Sequence, residues 1–368
     1  MQWLCWQPTP YNAVLFRALD AEPSLELHVR CIARVVASHP WQSSLTEGLD
    51  VGYFAPVLGI DWSVARQAAR DRRSLFVIAG WHDATMQCAM ATLALRRQPF
   101  AIWTDTPDLT TRRSRLKGML RNGFLRWIFR RATWVMGTGQ RALDALSAMG
   151  CAEAKLVDFP FFVDLAQWPS SAEREEAQTP PVEVIRFASS GRLRNEMKGH
   201  HIALAALASA RERTGCTSFE YTIAGSGPDL ESLEQQVRRL DLERHVKFAG
   251  WLEPEQLVHL LASSHALIHP SLSDPFPVAV LEAMAAGLVV LGSDGCGSVV
   301  DRIRHGENGF IHRAGDVQDL AAHISHLIQS PSSLRMLGIR ARQTAEAWPV
   351  SRGVALIKSL AADLPARR

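Results

Sequence analysis

Short apolar runs alternate with helix-like segments along the whole chain, and this alternation constrains the fold more than any other feature of the sequence. In the first half, we predict strands at residues 3–6, 75–79 and 101–103 and helices at 13–19, 84–95 and 141–149. In the second half, we predict strands at 184–188, 219–224, 246–249, 266–269, 288–291 and 310–311, with helices such as 201–213 between them. Alternating strands and helices build parallel sheets that helices cover on both faces. The sequence therefore predicts an α/β fold.

The length and composition leave room for two domains of this kind. The chain has 368 residues, of which 47% are hydrophobic and 21% charged, enough for two separate cores. A polar stretch that ends in Pro180-Pro181 interrupts the alternation and is typical of a linker. We predict two Rossmann-like, doubly wound domains that face a central cleft, with ligands at the carboxyl ends of the strands. The predicted divisions are a first domain at 1–165, a linker at 166–183, a second domain at 184–345, and a C-terminal helix at 346–368 that crosses back to the first domain.

Charge, apolar runs and cysteines narrow the class of protein. The net charge is only +3, which does not by itself indicate a polyanionic partner. No apolar stretch approaches the roughly 20 residues that a bilayer-spanning helix needs, and no secretory leader is recognisable. The six cysteines are scattered without a CxxC pair, which favours reduced thiols over disulfides or a structural metal. We expect a cytoplasmic protein with no metal cofactor and no nucleic-acid partner.

The segment 271–287, SLSDPFPVAVLEAMAAG, is the first candidate for a chemical site. It follows a predicted strand, and a helix is expected to begin near Pro277, since proline suits a first helical turn. The free N–H groups of a helix N-terminus attract anions, such as a diphosphate. Asp274 lies just before this helix and Glu282 lies one to two turns inside it. If a diphosphate binds at this helix end, one of the two carboxylates can accept hydrogen bonds from hydroxyl groups on one side of the diphosphate. The other can accept them from a diol on the opposite side.

The segment 191–199, GRLRNEMKG, is the second candidate, and it also lies between a predicted strand and a helix. Arg192 can bind phosphate oxygens through two parallel hydrogen bonds, and Lys198 can act as a flexible point charge. Together with the helix N-terminus they would neutralise a departing diphosphate. Donors aimed at such developing charge contribute roughly 3–4 kcal/mol each.

These segments occur in an order and spacing that resembles a known family. Gly191-Arg192 with Lys198-Gly199, then AGSGP at 224–228, FAG at 248–250, and Asp274 with Glu282 closely resemble the donor domain of family 4 glycosyltransferases of the GT-B fold. The resemblance covers most of residues 184–330. It implies an NDP-sugar as donor and co-substrate, retention of the anomeric configuration, and no metal.

The resemblance also implies roles for individual residues. Arg192 and Lys198 hold the diphosphate, Glu282 binds the ribose hydroxyls, and Asp274 contacts the sugar. The implied donor-binding residues are Gly191, Arg192, Lys198, Gly225, Ser226, Gly227, Trp251, Asp274, Phe276, Pro277, Val278 and Glu282. The glycines at 225 and 227 permit close backbone approach, and Trp251 lies near the base. The implied mechanism is front-face: the acceptor attacks from the side on which the diphosphate leaves, and a phosphate oxygen takes its proton.

The sequence departs from the family pattern at several positions. The family usually has glutamate and glycine where this chain has Asp274 and Pro275. Many members carry a histidine at the end of a central strand of the first domain, where this chain offers Asp105. We predict Asp105 as a catalytic residue beside Asp274, Arg192 and Lys198. Tyr11, Asn12 and His82 are the acceptor-side candidates.

The segment 112–131, RRSRLKGMLRNGFLRWIFRR, contains many basic residues and no acidic one. The candidates for a membrane patch are Arg112, Arg113, Arg115, Lys117, Arg121, Arg126, Trp127, Arg130 and Arg131. Leu116, Met119, Leu120, Phe124 and Trp127 fall on roughly one helical face. Each basic residue near an anionic bilayer contributes about 1 kcal/mol to binding. The alternative is a helix that packs on the core and exposes its basic face to water.

The sequence predicts a retaining glycosyltransferase that moves a sugar to a glycan or lipid-linked glycan acceptor. Bacterial surface polysaccharide assembly is the setting that the resemblance suggests, with the protein in the cytoplasm or peripheral on the inner face of the membrane. A nucleotide-sugar epimerase or hydrolase on the same fold is one alternative. A non-catalytic sugar-nucleotide-binding protein is another.

Overall fold

The computed structural model describes residues 1–34, 43–109, 114–176 and 182–362. The chain forms two compact units. The first unit consists of Met1–Phe162 together with Val350–Arg368, and the second unit is Val163–Pro349. Each unit contains one parallel sheet, so the predicted class of two α/β domains is confirmed.

Thirteen strands and fifteen α-helices follow one another in the described part of the chain. The strands are β1 Gln2–Cys5, β2 His28–Cys31, β3 Val51–Tyr53, β4 Phe76–Ala79, β5 Phe100–Thr104, β6 Trp134–Gly137, β7 Leu156–Asp158, β8 Ile185–Ser190, β9 Phe219–Ala224, β10 Val246–Gly250, β11 Ala266–His269, β12 Val289–Ser293 and β13 Gly309–His312. The helices are α1 Pro10–Asp20, α2 Trp62–Arg70, α3 Ala84–Leu95, α4 Arg115–Arg131, α5 Gln140–Ala148, α6 Ser171–Glu176, α7 Asn195–Lys198, α8 His200–Thr214, α9 Leu230–Arg239, α10 Pro254–Ala262, α11 Val278–Ala285, α12 Gly297–Arg302, α13 Val317–Gln329, α14 Ser332–Glu346 and α15 Val350–Ala362. Short 3₁₀ turns occur at Ser43–Thr46, Glu153–Lys155 and Leu165–Gln167.

The first unit has a seven-stranded sheet in the order β3-β2-β1-β4-β5-β6-β7, with every pair parallel. Successive strand residues point to opposite faces. Accordingly Leu4 packs in the core beneath α2, α3 and α4, whereas Trp3 packs in the core beneath α1 and α15. The strand order reverses between β1 and β4, which places a crevice at their carboxyl ends.

The second unit has a six-stranded parallel sheet in the order β10-β9-β8-β11-β12-β13. Counted from the first strand of each unit, the first six strands of both sheets follow the same order, which is that of a Rossmann domain. Here the order reverses between β8 and β11. These two strands pair over only two positions, Ala266 with Phe187 and Leu267 with Ala188. They end at Ser190 and His269, where the crevice opens.

The boundary between the units differs from the predicted linker at 166–183. The second unit includes the described part of that segment, because polar contacts hold it to α14. The backbone N–H and the hydroxyl of Ser171 donate to the Glu346 carboxylate at 3.0 and 2.7 Å, and Arg342 donates to the Leu165 carbonyl at 3.2 Å. Helix α15 belongs to the first unit, where Ile357 is buried in the core beneath α1 and Lys358 pairs with Glu22 at 2.8 Å.

Within the four described stretches, no helix combines the length and the apolar character that crossing a membrane requires.

Candidate functional site

Two charged side chains meet at the crevice of the second sheet. Lys198 ends α7, in the turn that follows β8, and Asp274 lies in the loop that follows β11. Lys198 Nζ donates to Asp274 Oδ2, although the two residues are 76 positions apart in sequence. Their side chains are only 25% and 11% exposed. The fold therefore brings together two residues that the sequence analysis assigned to one site.

His269 approaches the same carboxylate from the end of β11. Its Nε2 lies 3.7 Å from Asp274 Oδ2 and 3.1 Å from the hydroxyl of Ser271. Burial acts to raise the pKa of Asp274, but the neighbouring His269 and the charge of Lys198 outweigh it and hold the pKa below its usual value. Burial lowers the pKa of His269, and Asp274 partly opposes that shift. His269 was not predicted as a site residue.

A chain of buried hydroxyl groups ties three central strands together beneath the crevice. Ser189 of β8 donates to the Ile268 carbonyl of β11. The Ser189 oxygen lies 2.6 Å from the Tyr221 hydroxyl of β9, which is left to act as the donor. Burial raises the pKa of Tyr221, so its hydroxyl keeps its proton.

The predicted close backbone approach at the glycines takes place within the protein. Gly225 adopts φ 140°, and a Cβ on it would lie 1.8 Å from the Gly191 carbonyl oxygen. A Cβ on Gly227 would lie 2.4 Å from the carbonyl oxygen of Leu193. The turns after β8 and β9 thus pack backbone against backbone, and this packing is sufficient to explain both glycines. Their predicted contact with the donor stays a prediction.

Helix α11 directs its N-terminus into the same loop. It begins at Val278, and Pro277 precedes it in an extended conformation without a side-chain cap. The first N–H groups of a helix lack acceptors within the helix, so this end can bind an anion. The side chains of Phe276 and Pro277 are buried, and the Arg302 guanidinium lies 5.6 Å from the Phe276 ring centroid. Any donor contact at Phe276 therefore involves its backbone.

Glu282 on α11 has no hydrogen bond or ion pair from its carboxylate to another of the described residues. It is mostly buried, and burial raises its pKa to about 7. No hydrogen bond or opposite charge from the described residues offsets this shift. Such a group is suited to accept hydrogen bonds from ligand hydroxyls. Of the other predicted donor contacts, Trp251 and Ser226 are exposed, while Arg192, Gly191 and Val278 are partly buried.

The acceptor-side candidates of the first unit and the catalytic candidate Asp105 follow three neighbouring strands. Tyr11 and Asn12 lie at the start of α1 after β1, His82 follows β4, and Asp105 follows β5. The topology therefore brings them to one edge of the sheet, around its point of reversal. Tyr11 packs against Phe161 with ring centroids 4.5 Å apart. Asp105 Oδ1 accepts from the Thr138 hydroxyl at 3.1 Å.

The basic segment forms a continuous helix, α4, from Arg115 onward, and this helix has two different halves. Leu116, Met119 and Leu120 are exposed by 63%, 67% and 64% in the first half. In the second half the apolar side chains Leu125, Ile128 and Phe129 are buried in the core of the first unit, and Phe124 and Trp127 pack partly against it. Lys117, Arg126, Arg130 and Arg131 are exposed and Arg121 is partly buried. Arg112 and Arg113 lie outside the described residues, and of Arg115 only the backbone is described.

A comparison with protein families finds a match in the second unit. Residues 171–344 match the family model "Glycosyl transferases group 1". The matched segment spans α6 to α14 and includes Lys198, Asp274 and Glu282.

Two curated relatives each match a little under half of the chain. The chain is 34% identical over 181 residues to glycogen synthase of Mycobacterium tuberculosis, covering 49% of this chain and 42% of that protein. It is 35% identical over 169 residues to the amylovoran biosynthesis glycosyltransferase AmsK of Erwinia amylovora, covering 44% and 40%. The matches thus span less than half the length of these relatives.

Solved structures resemble the chain over its whole length. Anabaena Alr3699/HepE in complex with UDP superposes with a TM-score of 0.74 at 20% identity, covering 99% of this chain and all of that one. A glycosyltransferase from Rickettsia africae superposes with a TM-score of 0.75 at 12% identity, over 100% and 99%. These similarities identify the fold as GT-B.

Proposed function

We propose that this protein is a retaining glycosyltransferase that transfers a sugar from an NDP-sugar to a glycan or lipid-linked glycan. The observation that carries the proposal is the meeting of Lys198 and Asp274 beside the N-terminus of α11, at the reversal point of the second sheet. A cation, a helix end and a carboxylate together suit a diphosphate that is bonded to a sugar. The family model over residues 171–344 supports the same chemistry.

In the proposed reaction, Lys198, Arg192 and the first N–H groups of α11 neutralise the charge that develops on the leaving diphosphate. Asp274 accepts hydrogen bonds from the sugar hydroxyls, and Glu282 accepts them from the ribose. The acceptor hydroxyl attacks the anomeric carbon from the face that the diphosphate leaves, and a diphosphate oxygen takes its proton. The bond between that carbon and the diphosphate breaks as the new glycosidic bond forms. We propose no metal in this reaction.

The proposed donor carries a nucleoside diphosphate, and uridine is the first base to test. Structures of the Anabaena relative contain UDP and UDP-glucose. Among the curated relatives are enzymes of glycogen and amylovoran synthesis. We extend these to a setting in polysaccharide assembly for this chain, with Tyr11, Asn12, His82 and Asp105 on the acceptor side.

A product analysis with and without acceptor tests the proposal. The protein is incubated with UDP-, GDP-, ADP- and TDP-sugars and a panel of glycans and lipid-linked glycans. We expect NDP release that depends on the acceptor, and a product with the anomeric configuration of the donor. Donor conversion that ignores every acceptor would favour an epimerase or hydrolase. Tight NDP binding without any turnover would favour a non-catalytic binding protein.

We further propose that α4 associates with an anionic membrane surface at the cytoplasmic face. Three exposed apolar side chains in its first two turns lie beside Lys117, and no acidic residue interrupts the helix. Burying such side chains in the headgroup region and pairing the basic residues with anionic lipids both favour binding. The first turn of α4 also lies at the carboxyl edge of the first sheet, since this helix follows β5.

Liposome flotation tests this association. Wild type should bind vesicles with anionic lipid more tightly than neutral vesicles, and Leu120→Glu should weaken binding about tenfold. The matched control is Leu95→Glu at the end of α3, where the side chain is 76% exposed but lies at the opposite edge of the same sheet. Equal loss in the two variants, or equal binding to both vesicles, would contradict the proposal.

A further inference from the structure

His269 is a buried polar residue at the end of an otherwise aliphatic strand. Its ring is held beside the loop that carries Asp274, with Nε2 at 3.1 Å from Ser271 Oγ and 3.7 Å from Asp274 Oδ2. A buried polar ring is costly unless it has polar partners. The loop after β11 supplies the Ser271 hydroxyl within hydrogen-bonding distance of this nitrogen, and the Asp274 carboxylate slightly further away.

Asp274 Oδ2 is shared between His269 and Lys198. The ammonium group of Lys198 neutralises this largely buried carboxylate. Under the proposed function, on which this inference rests, the donor diphosphate attracts the same ammonium group. When Lys198 turns to the phosphate, Asp274 loses its cationic partner, and a buried carboxylate without a partner is strongly disfavoured.

His269 remains beside Asp274 in that state. The ionisable groups that face its ring from the described residues are Lys198, His200 and Asp274. Burial, together with the neighbouring charges of His269 and Lys198, lowers the pKa of His200 to about 3. His200 is therefore neutral and does not compete as a cation for Asp274. Lys198, His200 and His269 line one narrow recess together with Ser189 and Ser190.

We propose that His269 is a positioning residue: its Nε2–H holds the Asp274 carboxylate toward the donor sugar when Lys198 moves to the diphosphate. Ser271 keeps the edge of the ring turned toward the loop. His269 acts through Asp274 and does not itself touch the substrate. His269 should therefore have little effect on the affinity for the diphosphate and a large effect on kcat.

The test compares His269→Leu, which removes the donor, with His269→Gln, whose amide restores an N–H in a similar position. In His269→Leu we expect kcat to fall about 100-fold, the cost of a misplaced reacting group, with NDP affinity by calorimetry changed less than about twofold. His269→Gln should recover most of the lost kcat. The control is His326→Leu, an exposed histidine of α13 in the same unit, which should leave kcat and donor KM unchanged.

Three results would overturn the assignment. Equal losses of kcat in the leucine and glutamine variants indicate that the ring only fills space. An unchanged kcat in His269→Leu removes the role altogether. A weakened NDP affinity with unchanged kcat means that His269 contributes to diphosphate binding instead. Wild-type protein that neither binds an NDP nor transfers sugar would refute the proposed function itself, and this is measured before any variant is made.

Discussion

In the second unit, the turns at the carboxyl edge of the sheet bring Lys198, Asp274 and His269 into contact around a crevice. In the first unit, the same edge of a sheet with the same strand order carries Tyr11 packed on Phe161 and Asp105 bonded to Thr138. The second edge is a charged cluster with interacting carboxylate, ammonium and imidazole groups. The first edge instead combines aromatic rings with polar side chains, among them Asn12, His82 and Asp105.

Under the proposed function, one strand order serves two purposes. The order of strands determines where a crevice forms, and the residues that follow each strand determine what it binds. Charges that converge suit a small, highly charged ligand such as a diphosphate. Aromatic rings with separate polar groups suit the larger and mostly uncharged surface of a glycan.

The largest effect is expected at the charged edge. Lys198→Ala should lower kcat/KM about 1,000-fold, because it removes a preorganised charge at the leaving group. The control is Arg194→Ala in the same turn. The Arg194 side chain is exposed, and it forms a local ion pair with Glu196 at 3.3 Å. Steady-state kinetics with circular dichroism as a folding check measures both. Similar losses in the two variants would mean that general charge, and not the site, drives catalysis.

The glycines after the strands offer a comparison of stability. Gly225→Ala should destabilise the second unit by about 3 kcal/mol, because its Cβ would collide with the Gly191 carbonyl. Gly80→Ala, after β4 of the first unit, should cost only about 1–2 kcal/mol, since φ is 89° but the nearest atom to a Cβ is 4.0 Å away. Urea unfolding measures both. Equal losses of unfolding free energy in the two variants would show that the positive φ of each glycine, and not the close backbone packing around Gly225, determines the cost.

A smaller effect is expected at the acceptor edge. Asp105→Asn should reduce acceptor-dependent transfer about tenfold, the value of one hydrogen bond to a charged group, and should leave NDP affinity unchanged. Calorimetry with UDP and transfer kinetics at varied acceptor concentration separate the two quantities. A loss of NDP affinity would indicate that Asp105 contacts the donor instead of the acceptor.

The smallest effect concerns Glu282, whose pKa of about 7 in the folded protein exceeds its ordinary value of 4.5. Between these pH values the folded state binds more protons than the unfolded state, so stability should fall as pH rises from 4.5 to 7. Glu282→Gln should lose this dependence. The ribose hydroxyls need the ionised carboxylate, so wild-type NDP affinity should rise as pH increases through about 7.

Calorimetry and urea unfolding across this pH range measure both trends. At high pH, Glu282→Gln should bind NDP about fivefold more weakly than wild type. A pH-independent affinity for wild type would argue against contact between Glu282 and the ribose.

Strands with continuous apolar runs could be predicted closely, as β9 and β11 illustrate, and so could α3, which Asp83 caps at its N-terminus. The strands β2, β3, β6 and β7, each only three or four residues long, were not predicted. The sequences of β2 and β3, HVRC and VGY, lack an apolar run, and they form strands because neighbours in the sheet complete their hydrogen bonds. The described part of the linker segment, predicted from its polarity, folds against α14 through contacts with residues more than 170 positions away.

The site could be predicted only in part. Lys198 and Asp274 were assigned from their motifs, but the contact between them depends on the distance between β8 and β11, which no local pattern encodes. His269 was taken as a strand residue. The only sequence feature that could have indicated a functional role for His269 is that it ends an aliphatic run. Polar residues commonly end such runs without having a functional role.

The hydroxyl of Ser189 has a consequence for the crevice. Backbone pairing between β8 and β11 stops at Ala188 and Leu267, and one side-chain oxygen joins the strands just beyond that point. That oxygen is buried in the wall of the recess that Lys198 and His269 also line. A change as slight as serine to alanine there would remove a link between two strands and take away the acceptor that the Tyr221 hydroxyl now has.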